Sequence, residues 1–187
     1  METLHFFTTL KFSWLNSWIP TVFLLIIQFI FMGIYKEGGK RAVDTSWYDK
    51  KAKNYAVFNT VMQFVVIILG FFVPFKCCTF WFWIGMVIYL IAFVCFIWSF
   101  YSYGTADIGK VITKGIYKHS RNPMYATFNL GMIGVCVATA SLWLLIATLV
   151  FAWATHLVVL CEEKYCEKTY GESYLKYKQS VARYFGI

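Results

Sequence analysis

The chain has 187 residues, 60% of them hydrophobic and only 14% charged, against roughly half and a quarter in a typical soluble domain. That composition excludes an ordinary soluble globule, and it excludes disorder as well, because so apolar a chain can offset its ordering entropy. The net charge of +8 would suit a nucleic-acid binder, but the placement of the charges excludes that reading, and the length fits one domain over residues 1–187.

Cutting the chain at every Asp, Glu, Lys and Arg leaves four long uncharged runs: Phe12 to Tyr35 (24 residues), Asn54 to Phe75 (22), Cys77 to Ala106 (30) and Asn122 to Cys161 (40). Met1-Glu2-Thr3-Leu4 has no basic segment and no small-residue cleavage site follows the first run, so that run is expected to stay as a helix. About 20 helical residues cross a bilayer, so each of the first three runs predicts one membrane helix. The fourth would make a helix of about 60 Å, twice the bilayer. It predicts a hairpin turning near Ala138-Thr139-Ala140-Ser141. The expected fold is therefore all-α, a polytopic membrane protein with about five transmembrane helices centred on Ile26, Val65, Leu90, Ile133 and Thr148, the last two forming the hairpin. Leu24-Leu25-Ile26-Ile27 and Val65-Val66-Ile67-Ile68-Leu69 lack the alternation of a lipid-facing strand.

The basic residues sort by loop. The first loop carries Lys36, Lys40, Arg41, Lys50, Lys51 and Lys53; the third carries Lys110, Lys114, Lys118 and Arg121; the tail carries Lys164, Lys168, Lys176, Lys178 and Arg183. Only Lys11 and Lys76 fall elsewhere among the 17 basic residues. By the positive-inside rule this predicts an amino terminus outside and a carboxyl terminus in the cytoplasm. Trp14, Trp18, Trp47, Tyr48, Phe80 to Trp83, Tyr101 and Tyr103 fit aromatic belts at the water interfaces. The six cysteines contain no CxxC pair and His5, His119 and His156 are scattered. No metal site is expected, and the cysteines read as buried free thiols.

The third basic loop and the tail are the places with room for chemistry. Gly109-Lys110-Val111-Ile112-Thr113-Lys114-Gly115-Ile116-Tyr117-Lys118-His119-Ser120-Arg121 leads into Asn122-Pro123-Met124-Tyr125, where Pro123 suits a first helical turn capped by Asn122. The fifth helix is expected to end in Cys161-Glu162-Glu163. Acids at a helix carboxyl end oppose its dipole, which calls for a partner. Arg121, at the other open end of the hairpin, is the candidate. From Lys164 to Phe185, tyrosines interleaved with lysines predict a tail helix on the cytoplasmic interface.

Three blocks in this region, Gly115-Ile116-Tyr117, Arg121-Asn122-Pro123-Met124-Tyr125, and Glu162-Glu163 with Tyr170-Gly171-Glu172-Ser173-Tyr174-Leu175-Lys176-Tyr177 and Val181-Ala182-Arg183, resemble the signature of the isoprenylcysteine carboxyl methyltransferase family. Phospholipid N-methyltransferases and the carboxyl-terminal part of membrane sterol reductases are its distant relatives. The likeness covers roughly Gly109 to Arg183; the first three helices match only in hydropathy. It implies an integral membrane methyltransferase using S-adenosylmethionine, with a cofactor-binding part at about residues 104–187 enclosed by loop and tail. By position, the cofactor contacts would be Gly109, Lys110, Val111, Ile112, Tyr117, Asn122, Pro123, Met124 and Tyr125, closed by Glu162 or Glu163. Arg121, Glu162 and His119 are the residues expected to act on the reaction, His119 or a carboxylate near Arg121 as the base.

The chain departs from the family pattern twice. Asn122 stands where the family usually has His, and the turn before the glutamates, His156-Leu157-Val158-Val159-Leu160, lacks the arginine of relatives that methylate carboxylates. The implied acceptor is a lipid or lipidated molecule coming from the bilayer, with carboxylate, amine (as in phosphatidylethanolamine) and thiol all open. A nicotinamide-dependent reductase resembling the sterol enzymes and a non-catalytic membrane scaffold are the rival readings. The oligomeric state is open.

Overall fold

The computed structural model describes residues 2–186, and over these the regular secondary structure is all helical, with no strand. The helices are α1 (Glu2–Thr8), α2 (Trp18–Ile34), α3 (Lys36–Val43), α4 (Lys50–Gly70), α5 (Phe80–Gly104), α6 (Pro123–Thr139), α7 (Leu142–Tyr170) and α8 (Glu172–Ser180), with a 3₁₀ turn at Gly115–Lys118. Met1, part of the expectation about the start of the chain, lies outside the described residues.

Helices α2, α4, α5, α6 and α7 carry the five apolar segments. α4, α5 and α7 are long and apolar enough to cross a membrane, while α2 and α6 have 17 residues each and extend about 25 Å. The outer surface of this bundle is apolar: Ile26, Phe29, Phe64, Leu90, Leu149 and Trp153 are exposed, whereas Ser99, Thr127 and Thr148 are buried. Helices with this inside-out polarity need hydrocarbon around them, and the chain is a polytopic membrane protein. Leu24, Phe96, Phe128, Met132, Val135 and Leu144 form its core.

The closest packing is between α5 and α6. A Cβ on Gly85 would lie 2.2 Å from the Ala138 nitrogen, and one on Gly134 would lie 2.7 Å from the Tyr89 nitrogen. The two helices therefore meet backbone to backbone, as small residues permit in membranes. The expected hairpin is present: Ala140, at φ 47°, turns the chain, and the Ser141 hydroxyl accepts from the Leu144 amide at 3.3 Å to start α7.

Elsewhere the structure corrects the sequence reading. The first membrane helix, Trp18–Ile34, is centred on Ile26 as expected, but it occupies only part of the uncharged run that opens at Phe12. Residues 11–17 form an irregular segment held against the chain just past α4, by amide donations from Lys11, Ser13 and Ser17 to the carbonyls of Phe72, Phe71 and Val73 and from the Asn16 side chain to Phe71 at 2.8 Å. Helices α1 and α3 were not anticipated. Helix α7 does not stop at Glu163 but runs two more turns to Tyr170, so the glutamates lie inside a helix and the argument from its terminal dipole lapses. The expected single tail helix is the end of α7 plus α8, divided at Gly171, whose φ of +54° no other residue adopts as easily. Of the cysteines, which are all free, only Cys136 is buried, and Cys77 and Cys78 are exposed.

The three basic segments collect at one end of the bundle. There Gly38 of α3 lies against Gly104 of α5, and the third loop and tail meet over α7. At the other end, Trp18 stacks on Phe71 at 4.7 Å and the Lys76 amide donates to Ala138.

Candidate functional site

At the basic end, α3, the third loop, α7 and α8 enclose a cavity of about 190 Å³, far beyond the roughly 10–15 Å³ a single water needs. Its roof is tied down around Glu163. This carboxylate accepts from Arg121 Nε at 3.0 Å, from Asn122 Nδ2 at 2.9 Å, and from Nε and Nη2 of Arg183, both at 3.0 Å. Its side chain is 4% exposed and that of Arg121 8%. The Arg121 guanidinium continues to the carbonyls of Lys178 and Val181, its amide donates to Ala182, and the Tyr177 hydroxyl donates to the Tyr117 carbonyl at 2.6 Å. Loop and tail are thereby one unit. Gly115, at φ +60° and with its Cα against the Ser102 hydroxyl, lets the loop fold down onto α5.

The neighbouring glutamate is in a different situation. Glu162, about 100° round the helix from Glu163, lines the cavity and accepts from the Tyr125 hydroxyl at 2.6 Å. Among the described residues it has no cation within ion-pair distance. Arg41 of α3 also lines the cavity. Its Nη2 donates to the Tyr103 carbonyl at 2.9 Å and its guanidinium sits 4.2 Å over the Tyr103 ring. Its Nε and Nη1 are buried with no partner. The wall between is aromatic: Tyr48, Tyr103, Tyr117, and Trp47 stacked on Tyr165 at 4.6 Å. Burial holds the phenols of Tyr48 and Tyr117 above their ordinary value, Tyr117 well above, so both face the cavity as neutral O–H groups.

Of the residues singled out from the sequence, Lys110, Val111, Ile112, Tyr117, Arg121, Asn122, Met124, Tyr125, Glu162 and Glu163 line this cavity. Gly109 is exposed and off its wall, Pro123 is buried at the first position of α6, and His119 is exposed and not part of the lining. Asn122 does not cap α6 with its side chain; the amide is drawn to Glu163 instead. Arg121 pairs with Glu163 and not with Glu162. Arg41, Trp47, Tyr48 and Tyr103 were missed as wall residues. The aromatic belts expected at Trp47, Tyr48 and Tyr103 are here the lining of a cavity. His156, in the stretch that lacks the arginine, lies 2.9 Å from the Tyr184 hydroxyl through Nδ1.

A second cavity, about 260 Å³, opens deeper in the bundle. Ala42, Tyr48, Met124 and Tyr125 belong to both cavities. Its floor is Phe96, Phe100, Phe128 and Phe151, and its walls carry Gln28, Asn59, Thr60, Gln63, Asn129 and Thr155.

Fold and site together define a polytopic membrane protein that encloses a ligand-sized, charge-bearing cavity at one end and a second chamber among its spans. The model of the phospholipid methyltransferase family matches residues 80–173, half of the chain, and the chain belongs to that family: it is a membrane methyltransferase. No curated protein and no solved structure matches it.

Proposed function

We propose that the protein transfers a methyl group from S-adenosylmethionine to a lipid-borne or hydrophobic acceptor. The observation that carries the reading is the pairing, in one cavity, of Glu162 without a cation and Arg41 with two buried unpartnered donors. That combination fits the zwitterionic end of the cofactor: the Arg41 fork binds a carboxylate, and Glu162 accepts from an ammonium. The faces of Tyr48, Tyr103 and Trp47 suit a sulfonium cation. When bound, the cofactor supplies a methyl group on positive sulfur, which the acceptor takes with its own electron pair. The chain's share is alignment and exclusion of water. An acceptor that sheds a proton has Glu162 in reach through Tyr125, which donates to Glu162 and also lines the deeper chamber. Glu163 is engaged by Arg121, Asn122 and Arg183, and His119 stands outside both cavities, so neither serves as base in this reading.

Calorimetry with S-adenosylhomocysteine on detergent-purified protein tests it. Wild type binds, and Glu162→Gln weakens binding about ten- to a hundredfold, as expected for a lost hydrogen bond to a charged group. A folded wild-type chain that does not bind sinks the proposal.

We infer that the cavity end is cytoplasmic, supported by 15 of 17 basic residues gathering there and the positive-inside rule. Cys77 and Cys78 are exposed at the opposite end. A membrane-impermeant maleimide added to intact cells is expected to label them, and labelling only after permeabilisation reverses the orientation.

A further inference from the structure

Part of the basic end faces away from both cavities. Lys50, Lys51 and Lys53 open α4, and Lys164 and Lys168 lie near the end of α7, the helix packed along α4; all five are exposed. The two groups meet at one seam, where the charges of Lys51 and Lys164 both reach the Cys161 thiol. Lys50 and Lys53 are spaced i,i+3 and Lys164 and Lys168 i,i+4, the spacings at which like charges repel. Among the described residues none of the five has a carboxylate within ion-pair distance. The acids of these segments are engaged elsewhere: Asp49 caps α4 by accepting from the Ala52 amide at 2.7 Å, Glu163 holds Arg121 and Arg183, and Glu167 pairs with Lys178.

The surface that continues from these lysines is apolar. At 100° per residue, Lys50 and Lys53 share the face of α4 that presents Val57, Val61 and Phe64, all exposed, and Lys164 stands three turns past Trp153 on an exposed face of α7. The Phe58 ring of α4 meets the Trp153 ring edge-on at 5.9 Å and closes the seam between the helices. The opposite face of α4, with Asn59 and Gln63, lines the deeper chamber, and none of the five lysines lines either cavity. Helix α4 has 21 residues, about 31 Å, which matches the hydrocarbon thickness and sets its first turn at head-group level. Unpaired cations at that level, above an apolar seam, match a lipid on both counts: chains along the seam and a phosphate among the lysines. A head group with net negative charge fits better than a zwitterionic one, whose ammonium meets the lysines as a like charge.

We propose that the α4–α7 seam binds one anionic phospholipid from the outside of the bundle, its phosphate held by Lys50, Lys51, Lys53 and Lys164 and its chains lying along Val57, Val61 and Trp153. This lipid is a bound partner of the fold, separate from the methyl acceptor, and the proposal does not depend on the cofactor reading.

The test uses the full chain in detergent, titrated with dioleoyl phosphatidylglycerol or dioleoyl phosphatidylcholine, with bound lipid counted by native mass spectrometry. The two lipids share their chains and phosphate and differ in net charge. Wild type is expected to bind the first phosphatidylglycerol at least about tenfold more tightly than phosphatidylcholine, at roughly fivefold for each lysine engaged. The triple variant Lys51→Gln, Lys53→Gln, Lys164→Gln is expected to lose that preference. A second triple variant, Lys114→Gln, Lys118→Gln, Lys176→Gln, removes the same charge from exposed positions on the third loop and α8 and is expected to keep it. Equal affinity of wild type for the two lipids overturns the proposal without recourse to any variant. An equal loss in both triple variants overturns it too, since net charge alone would then explain the attraction, as does a preference that survives removal of the three seam lysines.

Discussion

The two cavities share a wall and differ in kind. The one at the basic end concentrates charge: Arg41, Arg121, Glu162 and Glu163 all line it. The one among the spans has amides and hydroxyls but no ionisable acid or base beyond tyrosine. The contrast follows from depth. A charge near the bundle's end can be solvated or paired, whereas at the depth of the chamber it would have neither. Within the charged cavity the same logic separates two adjacent acids. Glu163 is neutralised by two guanidinium groups and an amide and holds the roof down, while Glu162 has one phenol and is free to meet a cation.

The largest effect that would sharpen this comparison comes from Glu163→Ala. It leaves the Arg121 and Arg183 guanidinium groups facing each other in a nearly closed site, and removing one partner of a buried pair costs about 3–5 kcal/mol. Thermal unfolding in detergent should show a large fall in midpoint. A small shift would mean that the roof is held by the Tyr177 and Ala182 contacts alone.

Arg41→Met is expected to be intermediate and selective. S-adenosylhomocysteine should bind about tenfold or more weakly, while 5′-methylthioadenosine, which has no carboxylate, should bind as well to the variant as to wild type. Equal losses for both ligands would make Arg41 a packing residue, and no loss would move the anion site elsewhere. His119→Ala should have the smallest effect, within about 0.5 kcal/mol on stability and without change in S-adenosylhomocysteine affinity, because the ring is exposed and outside both cavities. A large loss of affinity would return it to the site.

The apolar helices were legible because the absence of charge over 20 or more residues leaves few alternatives, and the hairpin because 40 such residues cannot cross once. The roof was partly legible: Arg121 and the glutamates were identified, but not which glutamate pairs. Adjacent residues on a helix differ only in the direction they face, and that depends on where the helix stops. Reading Glu162-Glu163 as a membrane exit ends the helix two turns early. Helix α3 was hidden because Gly38-Gly39 and a run of charges look like a loop, and Arg41 with it. It lies outside the recognisable blocks, and only the fold brings it beside Tyr103. The amides of the deeper chamber were hidden by the way the runs were cut, since a count of ionisable residues passes over Asn and Gln. A search for polar side chains in mid-span would have found Gln28, Asn59, Gln63 and Asn129.

Tyr125 is one of the four residues, with Ala42, Tyr48 and Met124, that line both cavities. Its hydroxyl is fixed by Glu162 on one side, and its backbone carbonyl is held by Asn129 on the other. Whatever occupies either space restrains the same residue. Ligands on the two sides are then linked thermodynamically, and linkage is reciprocal: the factor by which the first changes the affinity of the second must equal the factor by which the second changes the first. A ligand on either side of Tyr125 thus changes the affinity on the other by one common factor, whichever space fills first.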